Sequence, residues 1–176
     1  FRSEINRYPA ADFGGIHAET RNGTVCVTGS DSDEVVVTVK YLARAASKPS
    51  AEEKLAQMRA DVTDIDGTLT IRAMFESSAS SRQQVSLMLA VPREMLVRAD
   101  TSNGAISVSG MQGRLELTTL NGDIEVDAEA GPRELQVNIQ NGSIVVSSSP
   151  EEGHYTLKTG NGMIEVKLPT ALGIEL

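Results

Sequence analysis

The sequence predicts an all-β fold, a single-stranded β-helix or solenoid of about eight coils with one short helix. Three observations carry that expectation. First, five times the chain writes Asn-Gly, a small or polar or otherwise variable residue, an aliphatic residue, any residue, and Val: Asn22 to Val27, Asn103 to Val108, Asn121 to Val126, Asn141 to Val146 and Asn161 to Val166. The last four Asn residues are 18, 20 and 20 apart, and a fixed period of this size marks one structural unit used repeatedly. Second, apolar residues alternate with period two on both sides of each Asn-Gly step, the signature of half-buried strands. Third, a second turn signal separates the strand pairs: Gly110-Met111-Gln112-Gly113, Gly131-Pro132 and Glu152-Gly153.

In the common register, Ile16, Val97, Leu115, Leu135 and Tyr155 stand six before Asn. Ala18, Ala99, Leu117, Val137 and Leu157 stand four before, and Thr20, Thr101, Thr119, Ile139 and Thr159 two before. Asp66-Gly67, preceded by Ala60 and Val62 and followed by Leu69 and Ile71, reads as a sixth, degenerate copy. Two further alternating runs lack Asn-Gly: Val35 to Tyr41, and Val85 to Val91 ending at Pro92. Ser50-Ala51-Glu52-Glu53 reads as a capping box, opening a helix over about 50–60 that also takes in Leu55, Met58 and Arg59. The segment Ser77 to Ser81 reads as a loop.

Two architectures accept this pattern. Asn-Gly favours two-residue hairpins, which would give an antiparallel β-sandwich. Alternatively each unit is one coil, stacked on its equivalents at about 4.8 Å. Hairpins need apolar partners across each turn but give no reason to repeat Thr two before Asn. Stacked coils do, because each residue lies over its own equivalent, and Asn amides then bond along the axis. The coil reading is favoured, with positive φ expected at the Gly after Asn. Such a stack has open strand edges that must be covered. The helix is the expected cap at one end, and Pro169, with Gly173, blunts the other.

The chain is expected to be a single domain, 1–176, with irregular coils over 1–96 and regular coils over 97–168. Aromatic residues make up only 3% and Trp is absent, so the core is built from many small aliphatic contacts. Sixteen basic against 24 acidic residues, net −8, argue against a nucleic-acid partner and against an anionic membrane surface. No apolar run is long enough to span a bilayer, so this segment is not expected to insert directly. One cysteine, Cys26, excludes an intrachain disulfide and a multi-cysteine metal site. The start at Phe1 rather than Met is expected of a form from which an upstream signal or anchor has been removed or omitted.

With Val91-Pro92 followed by Thr101-Ser102-Asn103-Gly104, the chain resembles the bacterial putative-adhesin domains of unknown function, which repeat Thr-x-Asn-Gly-x-Ile-x-Val. The likeness runs from Ile16 to Val166. It implies an exported, cell-envelope β-solenoid, extracytoplasmic in the periplasm or at the cell surface, and brings no active site to carry over.

No nucleophile elbow, phosphate loop or zinc-protease motif is present. His17 and His154 sit in no triad or ligand pattern, and His17 should face solvent. The acidic stretches Asp31 to Glu34 and Asp61 to Asp66 lack the remaining ligands of a calcium loop. Glu125 and Glu165, two coils apart, would lie about 10 Å from each other, near the 6.5–9.5 Å of an inverting glycosidase, but Val145 stands between them. Cys26 shares the outward position of Ser107, Glu125, Val145 and Glu165, with no neighbouring cation to activate it. The expected function is therefore non-catalytic: binding or scaffolding through an outward polar face, with Ser107, Glu116, Glu125, Gln136, Lys158 and Glu165 as candidate contacts. Asn22, Asn103, Asn121, Asn141 and Asn161 would form the turn ladder. No cofactor or metal is expected, and the partner is a surface glycan, a surface protein or another copy of the chain. Two alternatives stand beside it, a self-assembling β-solenoid and a glycan-cleaving β-helix enzyme.

Overall fold

Alternation of apolar and polar residues becomes strand wherever it occurs. A computed structural model describes residues 1–75, 83–128, 130–148 and 153–167. Its strands are β1 (Arg2–Pro9), β2 (Gly15–Asn22), β3 (Val25–Ser30), β4 (Glu34–Ala43), β5 (Met58–Ile65), β6 (Thr68–Phe75), β7 (Gln83–Pro92) and β8 (Leu96–Asn103). They continue as β9 (Ile106–Ser109), β10 (Arg114–Asn121), β11 (Ile124–Ala128), β12 (Glu134–Asn141), β13 (Ile144–Ser148), β14 (His154–Asn161) and β15 (Ile164–Lys167). One helix, α1 (Lys48–Ala56), lies between β4 and β5. The fold is all-β, with two mixed, unclosed sheets. One has the order β1-β4-β7-β3-β9-β11-β13-β15, and the other β14-β12-β10-β8-β2-β6-β5.

The strands flanking each Asn-Gly step lie in different sheets, so none of these steps closes a hairpin: β8 pairs with β2 and β10, whereas β9 pairs with β3 and β11. From β8 onward the pairing is parallel and in register. Thr119 lies between Thr101 and Ile139, and Ile124 between Ile106 and Ile144. The inward rows fill the space between the sheets with small aliphatic side chains such as Ile16, Val97, Leu115 and Leu135, each fully buried. A thin layer between two sheets about 10 Å apart needs no large aromatic anchor.

Equivalent stacking explains the repeated residues physically. The Thr two before Asn is buried at Thr101 and Thr119 and half-buried at Thr159, and its hydroxyl donates to the Gly carbonyl at the neighbouring corner: Thr101 to Gly23 O at 3.3 Å, Thr119 to Gly104 O at 3.1 Å and Thr159 to Gly142 O at 3.0 Å. The Gly amide points the other way, to the Asn carbonyl of the next level, as in Gly104 N–H to Asn121 O at 3.0 Å. Gly122 has φ +148°, and a Cβ there would lie 2.1 Å from Gly104 O. Gly is thus required by close approach of successive levels as well as by its dihedral angle.

Three expectations are corrected. The Asp66-Gly67 step is not a further corner but a true hairpin: β5 pairs antiparallel with β6, Asp66 and Gly67 have φ of 51° and 74°, and Gly67 N–H donates to Asp64 Oδ1 at 2.9 Å. Both central residues have positive φ, as a primed turn demands. The helix starts before Ser50. Ser47 is the N-cap, its hydroxyl accepting from Ser50 N–H at 3.4 Å, and Pro49 occupies the first turn, where its missing amide costs nothing. Met58 and Arg59 belong to β5, with Met58 buried. Finally, the levels do not follow chain order. β2 and β3 lie between β6/β7 and β8/β9, so the chain builds an inner level, goes to one end through β4, α1 and β5, and returns on its other side.

Beyond β4 the eight-stranded sheet ends in the antiparallel strand β1, which carries half-exposed charge: Tyr41 OH donates to Glu4 at 3.0 Å, and the Arg2 guanidinium lies 4.1 Å from the centre of the Tyr41 ring. Charged side chains on an edge strand oppose further pairing. At the opposite end Ile164 and Val166, the equivalents of fully buried Ile144 and Val146, are 42% and 44% exposed. The expected loop Ser77–Ser81 and the expected blunting by Pro169 and Gly173 lie outside the described residues.

Candidate binding surface

The outward positions form straight rows because each strand is in register with its neighbours. On the eight-stranded sheet one row runs Met88, Cys26, Ser107, Glu125, Val145, Glu165. On the seven-stranded sheet, rows run His17, Arg98, Glu116, Gln136 and Glu19, Asp100, Thr118, Asn138, Lys158. The six candidate contacts therefore fall on two opposite faces. Ser107, Glu125 and Glu165 share one; Glu116, Gln136 and Lys158 share the other. Glu125 and Glu165 are separated by Val145, and Glu116 is on the far side from both. Cys26 is half-buried between Met88 and Ser107.

Along the corner, Asn103 Nδ2 donates to Asn22 Oδ1, Asn121 to Asn103 and Asn141 to Asn121, each at 3.0 Å, and Asn161 to Asn141 at 2.9 Å. These exposed amides run as one chain of hydrogen bonds beside the close-packed glycines. They hold the corners rather than offering free groups to a ligand.

The acidic stretches are partnered within the protein. Asp31 accepts from Arg93 Nε at 2.7 Å, and Arg93 also donates to Gly110 O at 2.9 Å. The Arg93 guanidinium thereby holds the Asp31 carboxyl below the usual carboxylate range. Glu34 faces Arg7 at 3.5 Å. Among the described residues no group of three or more His, Cys, Asp or Glu is arranged to hold a metal ion, and no helix is long and apolar enough to cross a membrane.

A concave site lies on the outer face of the seven-stranded sheet. It is a groove of about 360 Å³ where β6, β2 and β8 run side by side. Leu96 forms one wall: in the row Thr68, Gly15, Leu96 its side chain covers the buried Gly15, where a Cβ would be 3.1 Å from Leu96 O and 3.2 Å from Leu96 Cδ2. The hairpin turn supplies the other wall with Ile65 and Asp66, and Gly14 N–H pins that turn by donating to Gly67 O at 2.8 Å.

Polar groups line the next rows. His17 Nε2 and Arg98 Nε both meet Asp100 Oδ2, at 2.8 and 2.9 Å. Arg72 Nε donates to Glu19 at 2.8 Å, and Arg114 bridges Glu116 at 2.8 Å and Glu134 at 3.3 Å. Partial burial raises the Asp100 pKa, but the hydrogen bonds and charges of His17 and Arg98 outweigh it and leave the carboxyl below its ordinary value. Of the six candidate contacts, the groove includes only Glu116. The alignment carries one signal for the rest: Gly15 occupies the position of Leu96, Arg114, Glu134 and His154. His17, expected to be simply solvated, faces outward but is half-buried and bonded.

No family model matches the chain, and no curated protein sequence matches it. Among solved structures, a putative cell adhesion protein from Clostridium sporogenes is similar over 96% of this chain and 99% of its own, with TM-score 0.62 and 11% identity. A putative adhesin from Bacteroides fragilis aligns over 94% of this chain and 97% of its own at 12% identity, and a putative lipid binding protein from Parabacteroides distasonis does so with the same coverage and identity. Their TM-scores of 0.36 and 0.30 are too low to bear on the fold. The Clostridium sporogenes structure shares its fold with this chain along nearly the whole length of both.

Proposed function

We propose that this chain is an extracytoplasmic, adhesin-like binding module, non-catalytic, built as a two-sided β-solenoid and displayed at the cell envelope. The observation that carries the reading is the set of straight outward rows, such as Ser107, Glu125, Val145, Glu165, held by corners that are hydrogen-bonded from level to level. A rigid, regular array of polar side chains is suited to contacting an extended partner at low cost in ordering. The likeness to a structure named as a putative cell adhesion protein supports the same reading. The ligand class is a surface glycan or surface protein.

The test uses the whole chain, fluorescently labelled, with isolated bacterial cell envelopes. Saturable binding is expected, competed by unlabelled protein and weakened by one of two triple variants: Ser107→Ala/Glu125→Gln/Glu165→Gln on one face, or Glu116→Gln/Gln136→Ala/Lys158→Gln on the other. Binding that never saturates, or that neither triple variant alters, overturns the proposal. So does sugar release from the same envelopes that disappears in Glu125→Gln.

Self-assembly is the second reading, favoured by the half-exposed Ile164 and Val166 at one end of the stack. Edge pairing through β14 and β15 would join two copies tail to tail, with the same surface on each. Sedimentation across concentrations separates the two readings: a binding module keeps one size.

A further inference from the structure

The groove beside β6, β2 and β8 gathers a specific chemistry. Two apolar side chains, Leu96 and Ile65, stand 36% and 51% exposed on its opposite sides. Between and above them lie Thr68, Thr70, His17, Arg72, Arg98 and Glu116. Every cation in this set already has a carboxylate: Arg72 has Glu19 and Arg98 has Asp100, while Glu116 has Arg114. An anionic ligand would meet Glu19, Asp100 and Glu116 beside those arginines, on a chain whose net charge is −8, and a cationic one would meet the arginines.

The pairs nevertheless retain hydrogen-bonding capacity. A guanidinium has five N–H donors and a carboxylate about four acceptor positions, so a single ion pair leaves most of both unused. Threonine hydroxyls add groups that both donate and accept. What such a surface recognises is a neutral molecule dense in groups that do both, with one apolar side. A pyranose ring has that character: its hydroxyls project around the rim, and its C–H face packs on aliphatic carbon. The groove volume of about 360 Å³ is at the lower end of small-ligand sites, the size for a terminal sugar unit or two rather than a long chain.

We propose that this groove binds a neutral sugar unit, its C–H face on Leu96 and Ile65 and its hydroxyls on the Arg98, Arg72 and Glu116 ion pairs and on Thr68 and Thr70. This deepens the surface-binding reading and rests on it: the groove is the place on the array where a glycan is held. Leu96 forms one wall, and the hairpin turn at Ile65 forms the other.

The experiment is an amide NMR titration of the intact chain with maltose and lactose, with glucuronate and a neutral tripeptide amide as the other two arms. Saturable shifts at Thr68, Thr70, His17 and Leu96 with a neutral disaccharide are expected. Ile65→Ser, at an exposed turn position outside the core, weakens that response roughly fivefold by removing one apolar wall. The spectrum of Ile65→Ser, unchanged away from the turn, reports that the fold is intact. A response to glucuronate or to the tripeptide alone, or none to any arm, overturns the proposal. Shifts confined to the Ser107–Glu125 face overturn the groove while leaving the surface-binding reading standing. Envelope binding that fails while the sugar shifts persist overturns the envelope reading and leaves the groove.

Discussion

Replacing Thr119 with Val removes one hydroxyl from a site built around it. Thr119 is 1% exposed, and its Oγ1 donates to Gly104 O at 3.1 Å. Valine has nearly the same shape, so the backbone has no steric reason to move, and the Gly104 carbonyl loses that donor. Leaving a buried acceptor unsatisfied costs about 1–3 kcal/mol. The added methyl group returns at most about 0.8 kcal/mol of burial. A net loss of roughly 1–2 kcal/mol follows, or a fall in Tm of roughly 2–8 °C for a chain of this length. The complementary variant is Ile139→Thr, one level along, where Ile stands in the Thr row. It deletes apolar volume but supplies a donor toward the Gly122 corner, so it should cost less than an ordinary core Ile→Thr replacement. Urea denaturation monitored by circular dichroism measures both. Thr119→Val as stable as the parent, with Ile139→Thr losing the full price of a cavity, would refute the idea that the repeated Thr is there to satisfy the corner carbonyl.

Gly122→Ala places a Cβ 2.1 Å from Gly104 O at φ +148°, and a loss of more than about 3 kcal/mol is expected; a change under about 0.5 kcal/mol in the same denaturation assay contradicts the close approach of levels. Asn141→Ala breaks the ladder at a residue that donates to Asn121 and accepts from Asn161, and should cost about 1 kcal/mol and speed hydrogen exchange at the Gly142 amide. Asp100, whose folded pKa is below its ordinary value, contributes stability that is present above that ordinary value and lost as pH falls through the lower folded one. Asp100→Asn should therefore destabilise the protein by on the order of 0.5–1 kcal/mol at neutral pH, with the difference vanishing in strong acid; a difference independent of pH contradicts the ion-pair geometry.

The regular half of the fold was legible because stacking imposes identity. Thr101, Thr119 and Thr159 recur since each faces the same kind of corner carbonyl, Thr20 donates to the Val85 carbonyl of β7 instead, and the Asn residues recur since each amide needs the next. The order of levels was not legible. Nothing in Val35–Tyr41 or Val85–Val91 states that the two pair antiparallel with each other while the second also pairs parallel with β3, because both alternate in the same way. Asp66-Gly67 was misread for a related reason: the same alternation fits a corner and a hairpin, and only pairing partners distinguish them. The helix was displaced by a competing signal, since Ser50 with Glu53 imitates a cap that Ser47 and Pro49 provide. The groove escaped altogether. Its walls are Leu96 and a turn some thirty residues earlier in sequence, and neither leaves a motif. Glu116, Gln136 and Lys158 were grouped with Ser107, Glu125 and Glu165 because alternation reports outward position but not which of two sheets carries it.

The account depends on equivalent residues lying over one another, level by level, and a distance measured between them tests it most directly. With Cys26 replaced by Ser, nitroxide labels at Ser107 and Glu165 report a separation three levels long by pulsed electron resonance, or by line broadening if they are close. At about 4.8 Å per level the two backbones are about 14 Å apart, and the label distribution should be narrow and centred near that value. A broad distribution centred beyond about twice that distance would contradict the stacking, and with it the straight rows on which the proposed binding surface is built.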